Sequence, residues 1–132
     1  MVKGYLAVGT VALLVGASEA GKSTIAVDLA NKVAQHYDAV IVAAEDGATI
    51  RAQIRAWELL HGRTRAPRLS VIDGPVLLDD SSQVDDLIDQ LRPLAPRLVI
   101  FDTLSASLPG GRQSEHDRAS ARCRGAGDTP PA

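Results

Sequence analysis

The chain has 132 residues, 45% of them apolar and 3% aromatic, and a net charge of −2. That length gives one domain of ordinary size, the aliphatic bias suits an α/β fold, and the charge excludes a globally basic nucleic-acid binder, leaving only local patches. The single cysteine, Cys123, excludes an internal disulfide, and no stretch approaches the ~18 apolar residues of a membrane helix, so a soluble, cytoplasmic protein without a membrane partner is expected.

In chain order, Met1–Gly9 is a short lead-in with glycine turn signals and no signal-peptide layout. The aliphatic run Val11–Val15 is expected as the first strand. Gly16-Ala17-Ser18-Glu19-Ala20-Gly21-Lys22-Ser23 follows it directly and reads G-x-x-x-x-G-K-S. That is the phosphate-binding loop of nucleoside-triphosphate enzymes, in the strand–loop–helix context that the motif requires. Its glycines let the backbone turn so that several N–H groups point at one anion, and the following helix adds its positive end. Lys22 is expected to reach the β- and γ-phosphates, and the Ser23 hydroxyl to ligate Mg²⁺. Glu19 puts a carboxylate at the loop crown, where its side chain has room to turn outward to solvent.

A helix over about Lys22–His36 has Ile25, Ala26, Leu29, Ala30 and Val33 at helical spacing. Ala39–Ala43 is an unbroken apolar strand of the kind that is covered on both faces. A second helix starts near Thr49, carries Ile50, Ile54, Trp57 and Leu60 on one side, and stops at Gly62. Trp57 reads better as a core residue than as a stacking platform for bases. After a basic connector, Leu69–Ile72 is the third strand. Ser81 or Ser82 is the expected cap of a third helix, with Val84, Leu87, Ile88 and Leu91 inward and Pro93 as its stop. Arg97–Phe101 is the fourth strand. Strands alternating with helices give a parallel, helix-covered sheet.

From Pro109 to Ala132 no aliphatic residue is larger than Ala, and none is aromatic. This composition cannot bury a core, so 109–132 is expected as a disordered or weakly helical tail behind a domain over 1–108.

Two further carboxylates carry chemistry. Leu98-Val99-Ile100-Phe101-Asp102 delivers Asp102 at the C-terminal end of a strand, where ligands sit in open α/β sheets and a carboxylate can hold Mg²⁺. The bland alternative is a turn residue that ends a strand. Thr103 follows Asp102, so the acid that many ATPases place there is absent, and the group that orients water beside the γ-phosphate must come from elsewhere. Glu45, in Ala43-Ala44-Glu45-Asp46-Gly47, ends a strand on the same rim. Its alternative is that Glu45 and Asp46 simply begin a helix favourably.

Together Gly16–Ser23, Ala44-Glu45-Asp46 and Ile100-Phe101-Asp102-Thr103-Leu104-Ser105 resemble the RecA-like ATPases. The closest branch resembles the RepA-like hexameric replicative helicases and phage or plasmid helicase-primases. The resemblance spans about Lys3 to Leu108. It implies that Glu45 is the catalytic base, that Thr24 contacts the α-phosphate and that Asp102 positions Mg²⁺. It also implies ATP as ligand, a homo-oligomeric ring with nucleotide between subunits, and movement along single-stranded DNA. In that family a further strand inserts between the Asp-bearing strand and the loop strand, and a trans-acting arginine follows. Nothing after Leu108 reads as such a strand. The core is therefore expected to be incomplete, with two unpaired edges, and the chain to be a truncated piece of a larger ATPase.

Two rival readings differ in class: a nucleotide-binding or assembly module without turnover, and a small-molecule P-loop kinase, which lacks a regular Arg-rich lid in Arg112–Arg124. His36, His61 and His116 have no metal spacing. Arg51, Arg55, Arg63, Arg65 and Arg68 read as a solvated helix face and basic linker rather than a DNA surface.

Overall fold

The computed structural model describes residues 6–63 and 68–108. Within them the elements run α1 (Lys22–Ala34), β1 (Ala39–Ala43), α2 (Gly47–Leu60), β2 (Leu69–Asp73), α3 (Ser81–Leu91), β3 (Leu98–Asp102) and α4 (Leu104–Ser107). The strands form one parallel sheet in the order β2-β1-β3. The fold is thus the expected α/β architecture, a parallel sheet with flanking helices.

The central strand explains the layering. Every residue of β1 is buried, because helices cover both of its faces. Ala39, Ile41 and Ala43 pack with Val27, Ala30, Val33 and Ala34 of α1 and with Ile50, Ile54 and Trp57 of α2. Val40 and Val42 turn to the other face and meet Leu87 of α3, with Val99 and Phe101 alongside. Alternation along a strand therefore assigns α1 and α2 to one layer and α3 to the other.

The starts of α2 and α3 follow from short acidic caps. Asp46 is the N-cap of α2, its carboxylate accepting from Thr49 N at 3.0 Å and from the Thr49 hydroxyl. Asp80, rather than Ser81 or Ser82, caps α3 and accepts from Ser82 N at 3.0 Å. A carboxylate at this position satisfies orphan N–H groups and meets the positive helix end, which is why it displaces the serines.

Three expectations need correction. Val11–Val15 is not a strand: the segment has no regular structure, Val11 is fully exposed and Val15 is 78% exposed. A strand exists through ladder bonds to a neighbour, and among the described residues neither this segment nor the outer edge of β3 has one. On α1, Ala30 and Val33 are buried and Leu29 packs against the core as expected, but Ile25 is 54% exposed, and the buried face also takes in Val27, Ala34 and Asn31, whose Nδ2 donates to Val27 O at 2.9 Å. On α3 only Leu87 is buried, and Ile88 lies on the open side. The expected tail, with Cys123 and His116, lies outside the described residues. No helix among the described residues is long and apolar enough to cross a membrane.

Candidate nucleotide site

The loop Gly16–Gly21 turns tightly before α1. Ala20 N bonds Ala17 O at 3.2 Å, Glu19 takes a left-handed φ of 60°, and Gly21 takes φ 86° as the N-cap of α1. Gly21 is required there, since a residue with a Cβ is strained at that φ. No side chain caps α1, so its first-turn N–H groups stay available to an external acceptor. Lys22 folds back over the loop, and its ammonium donates to Gly16 O at 2.8 Å and Ala17 O at 2.6 Å. Gly16, Ala17, Ser18, Glu19 and Ala20 are exposed, Gly21, Lys22 and Ser23 half-buried, and Thr24 exposed at the first turn.

The opposite component is the C-terminal rim of the sheet. Register places Ala43 opposite Asp73 on one side and Asp102 on the other, so three strand ends stop level. Leu98 and Ile100 pack into the α1–α2 layer, and alternation puts Asp102 on that same side. The chain just past β1 is stitched to this rim by Ala44 N donating to Asp102 O at 2.9 Å. Glu45 then accepts from the Thr103 hydroxyl at 2.8 Å, and Ser105 Oγ lies 2.9 Å from the same hydroxyl. The Asp102–Thr103 peptide bond is cis.

These contacts separate two residues that sequence left together. Asp46 does the helix-starting work, whereas Glu45 reaches across to the strand end that bears Asp102. Lys22, Ser23 and Thr24 open the helix that packs on the same face of the sheet. Among the described residues, no hydrogen bond or ion pair links the loop itself to Glu45 or Asp102. The residue that spacing missed is Thr103, noticed in sequence only for not being an acid.

A second feature of the rim was not legible in sequence. Arg51 on α2 holds Asp73 at the end of β2 through two parallel bonds of 2.6 Å. The pair lies against Gly47, where an added Cβ would collide with the Asp73 carboxylate. The Arg51 guanidinium holds the Asp73 carboxyl below its ordinary 3.8. Because the folded form binds this proton less tightly than the unfolded chain, the pair's stabilisation is complete above that ordinary value. It fades as pH falls through it toward the lower folded value. Asp73→Asn is therefore expected to lower the urea midpoint at neutral pH, with the gap to wild type closing below about pH 4; a gap that stays constant with pH would contradict the assignment.

The other basic side chains are engaged locally. Arg55 pairs with Glu58, Arg63 bonds Gln35, and Arg68 bonds the His36 carbonyl. Arg65 lies outside the described residues. Trp57 is buried and stacks on His61 at 4.1 Å between ring centroids, so it is a core residue as expected. No group of three or more His, Cys, Asp or Glu side chains is placed to hold a metal among the described residues.

No curated protein and no solved structure matches the sequence. A family model does: the one described as an AAA domain matches residues 1–128, nearly the whole length. With a phosphate-loop sequence opening α1, and a parallel sheet whose rim carries the two candidate carboxylates, the chain belongs to the AAA domain family of P-loop ATPases.

Proposed function

We propose that the chain binds Mg·ATP at Gly16–Ser23 and hydrolyses it, within a RecA-like unit spanning 1–108. The observation that carries this reading is the meeting of Glu45 with the Asp102–Thr103 strand end on the face where α1 packs. The donor set fits the ligand. The tight loop with Gly21 at positive φ and the uncapped first turn of α1 suit a phosphate chain. A hydroxyl and a carboxylate, Ser23 and Asp102, suit Mg²⁺, a hard ion that keeps several waters and binds through few protein oxygens. Bound there, the metal supplies neutralisation of phosphate charge.

The chain's own residues do the rest. Lys22 exchanges its loop carbonyls for the β- and γ-phosphate oxygens and stabilises the charge that develops on them. Thr24 binds the α-phosphate. Glu45 orients a water and takes its proton at the carboxylate as that water attacks the γ-phosphorus, while the bond to the β–γ bridging oxygen breaks and ADP leaves. In an assembled form this turnover drives a ring-shaped motor along single-stranded DNA in replication, the role that the resemblance to RepA-like helicases implies.

A second reading has its own support. Among the described residues Val11–Val15 has no strand partner, so the loop has no strand behind it there, which favours nucleotide binding without turnover. Thermal unfolding with and without Mg·ATPγS, beside Lys22→Ala, tests the shared part. A ligand at a hundred times its Kd raises stability by about 2.7 kcal/mol, and Lys22→Ala is expected to remove that shift. An equal shift in both proteins would sink the assignment of the loop. Phosphate release then separates turnover from binding alone.

A further inference from the structure

We infer that Thr103 is a positioning residue for Glu45, completed by Ser105; the inference rests on the reading of Glu45 as the base. A carboxylate only accepts hydrogen bonds, so the bond of 2.8 Å between Thr103 Oγ1 and Glu45 Oε1 uses the single proton of the threonine hydroxyl. The contact of 2.9 Å between Thr103 Oγ1 and Ser105 Oγ must then run the other way, with Ser105 donating to Thr103. The order is Ser105 to Thr103 to Glu45, and each donor is spent.

Two observations set this apart from ordinary local bonding. Thr103 is the N-cap of α4, yet its side chain makes no capping bond. It reaches instead to a residue 58 positions away in sequence. The backbone supports the reach, since Ala44 N bonds Asp102 O at 2.9 Å and ties the two strand ends side by side. Glu45 is exposed, and an exposed glutamate samples many rotamers unless something holds it. Fixing Oε1 selects one orientation and leaves Oε2 to accept from a water. A base displaced by about 1 Å costs up to ~10²-fold in rate, so one charge-assisted bond at this place has a large lever.

The test measures phosphate release and Mg·ATPγS thermal stabilisation on the whole chain. Thr103→Val removes the donor at nearly constant shape and is expected to lower kcat about tenfold or more, with KM and the nucleotide shift unchanged. Thr103→Ser keeps the hydroxyl and is expected to stay within about twofold of wild type. In a Glu45→Gln background, Thr103→Val is expected to cost nothing further, because the bond acts only through Glu45. Should Thr103→Val not fold, Ser105→Ala serves, with an expected loss of a few-fold in kcat alone. Wild-type kcat in the folded Thr103→Val protein, or the same loss with and without Glu45, would overturn the inference. A wild type that releases no phosphate, or a Glu45→Gln protein that keeps full turnover, overturns the underlying reading instead, and shows it before Thr103 is touched.

Discussion

Trp57→Ala is expected to lower the stability of the fold by about 3–5 kcal/mol. The indole is 9% exposed and packs within the α1–α2 layer beside β1. It also carries a polar tie: Nε1 donates to Asp28 Oδ1 at 2.8 Å, so one side chain joins α2 to α1 through both area and a hydrogen bond. Burial pushes the Asp28 carboxyl up, but the Lys32 ammonium and the indole N–H outweigh it and hold the group below its ordinary value. Truncation leaves a cavity, removes the stack on His61 and takes a partner from that carboxylate. With total stabilities of ~5–15 kcal/mol, such a loss consumes a large fraction of what holds a domain of this size. Urea unfolding followed by far-UV circular dichroism measures it. Trp57→Phe separates the terms, since it keeps most of the area and loses only the bond, at about 1 kcal/mol. A Trp57→Ala protein within 1 kcal/mol of wild type would mean that α2 is held by something other than this contact. Trp57 is the chain's one tryptophan, so wild-type emission reports on the same layer.

How much of this was legible in sequence depends on whether the deciding interaction was local. Ala39–Ala43 was readable to the residue, because an unbroken aliphatic run fits only a strand covered on both faces. Of Ile50, Ile54, Trp57 and Leu60, expected on one side of α2 from helical spacing, the first three are buried, whereas Leu60 in the last turn is 82% exposed. On α1 the same spacing found Ala30 and Val33 but not Asn31: periodicity counts apolar residues, and Asn31 is polar yet fully buried, bonded to its own helix. Val11–Val15 has good strand composition, but a strand also needs a neighbour, and composition does not say whether one is there. Asp80 took the cap expected of a serine because a carboxylate does the same work with charge. At the site, the individual residues of the motif were visible in sequence, whereas the contact between Thr103 and Glu45 was not. No local pattern announces a hydrogen bond across 58 residues.

That contact sharpens the other large effect expected. Glu45→Gln should leave Mg·ATPγS stabilisation intact and lower phosphate release by about 10²–10⁴, the range that a positioned general base supplies. The substitution suits the question because it keeps shape and length, so the amide can still meet the Thr103 hydroxyl while losing the capacity to take a proton. The helix-starting role cannot mimic the result. Asp46, not Glu45, caps α2, so Glu45→Gln leaves the first turn of that helix its carboxylate partner. Retained binding with lost turnover therefore isolates the chemical step, whereas a fall in both would mean that Glu45 shapes the nucleotide pocket. Turnover unaffected by Glu45→Gln would move the base elsewhere on the rim. Asp102 would not be free for that role, since the same reading has it hold the metal. Phosphate released by wild type and lost on Glu45→Gln alone would make the Glu45–Thr103 junction the point at which this sheet does its chemistry.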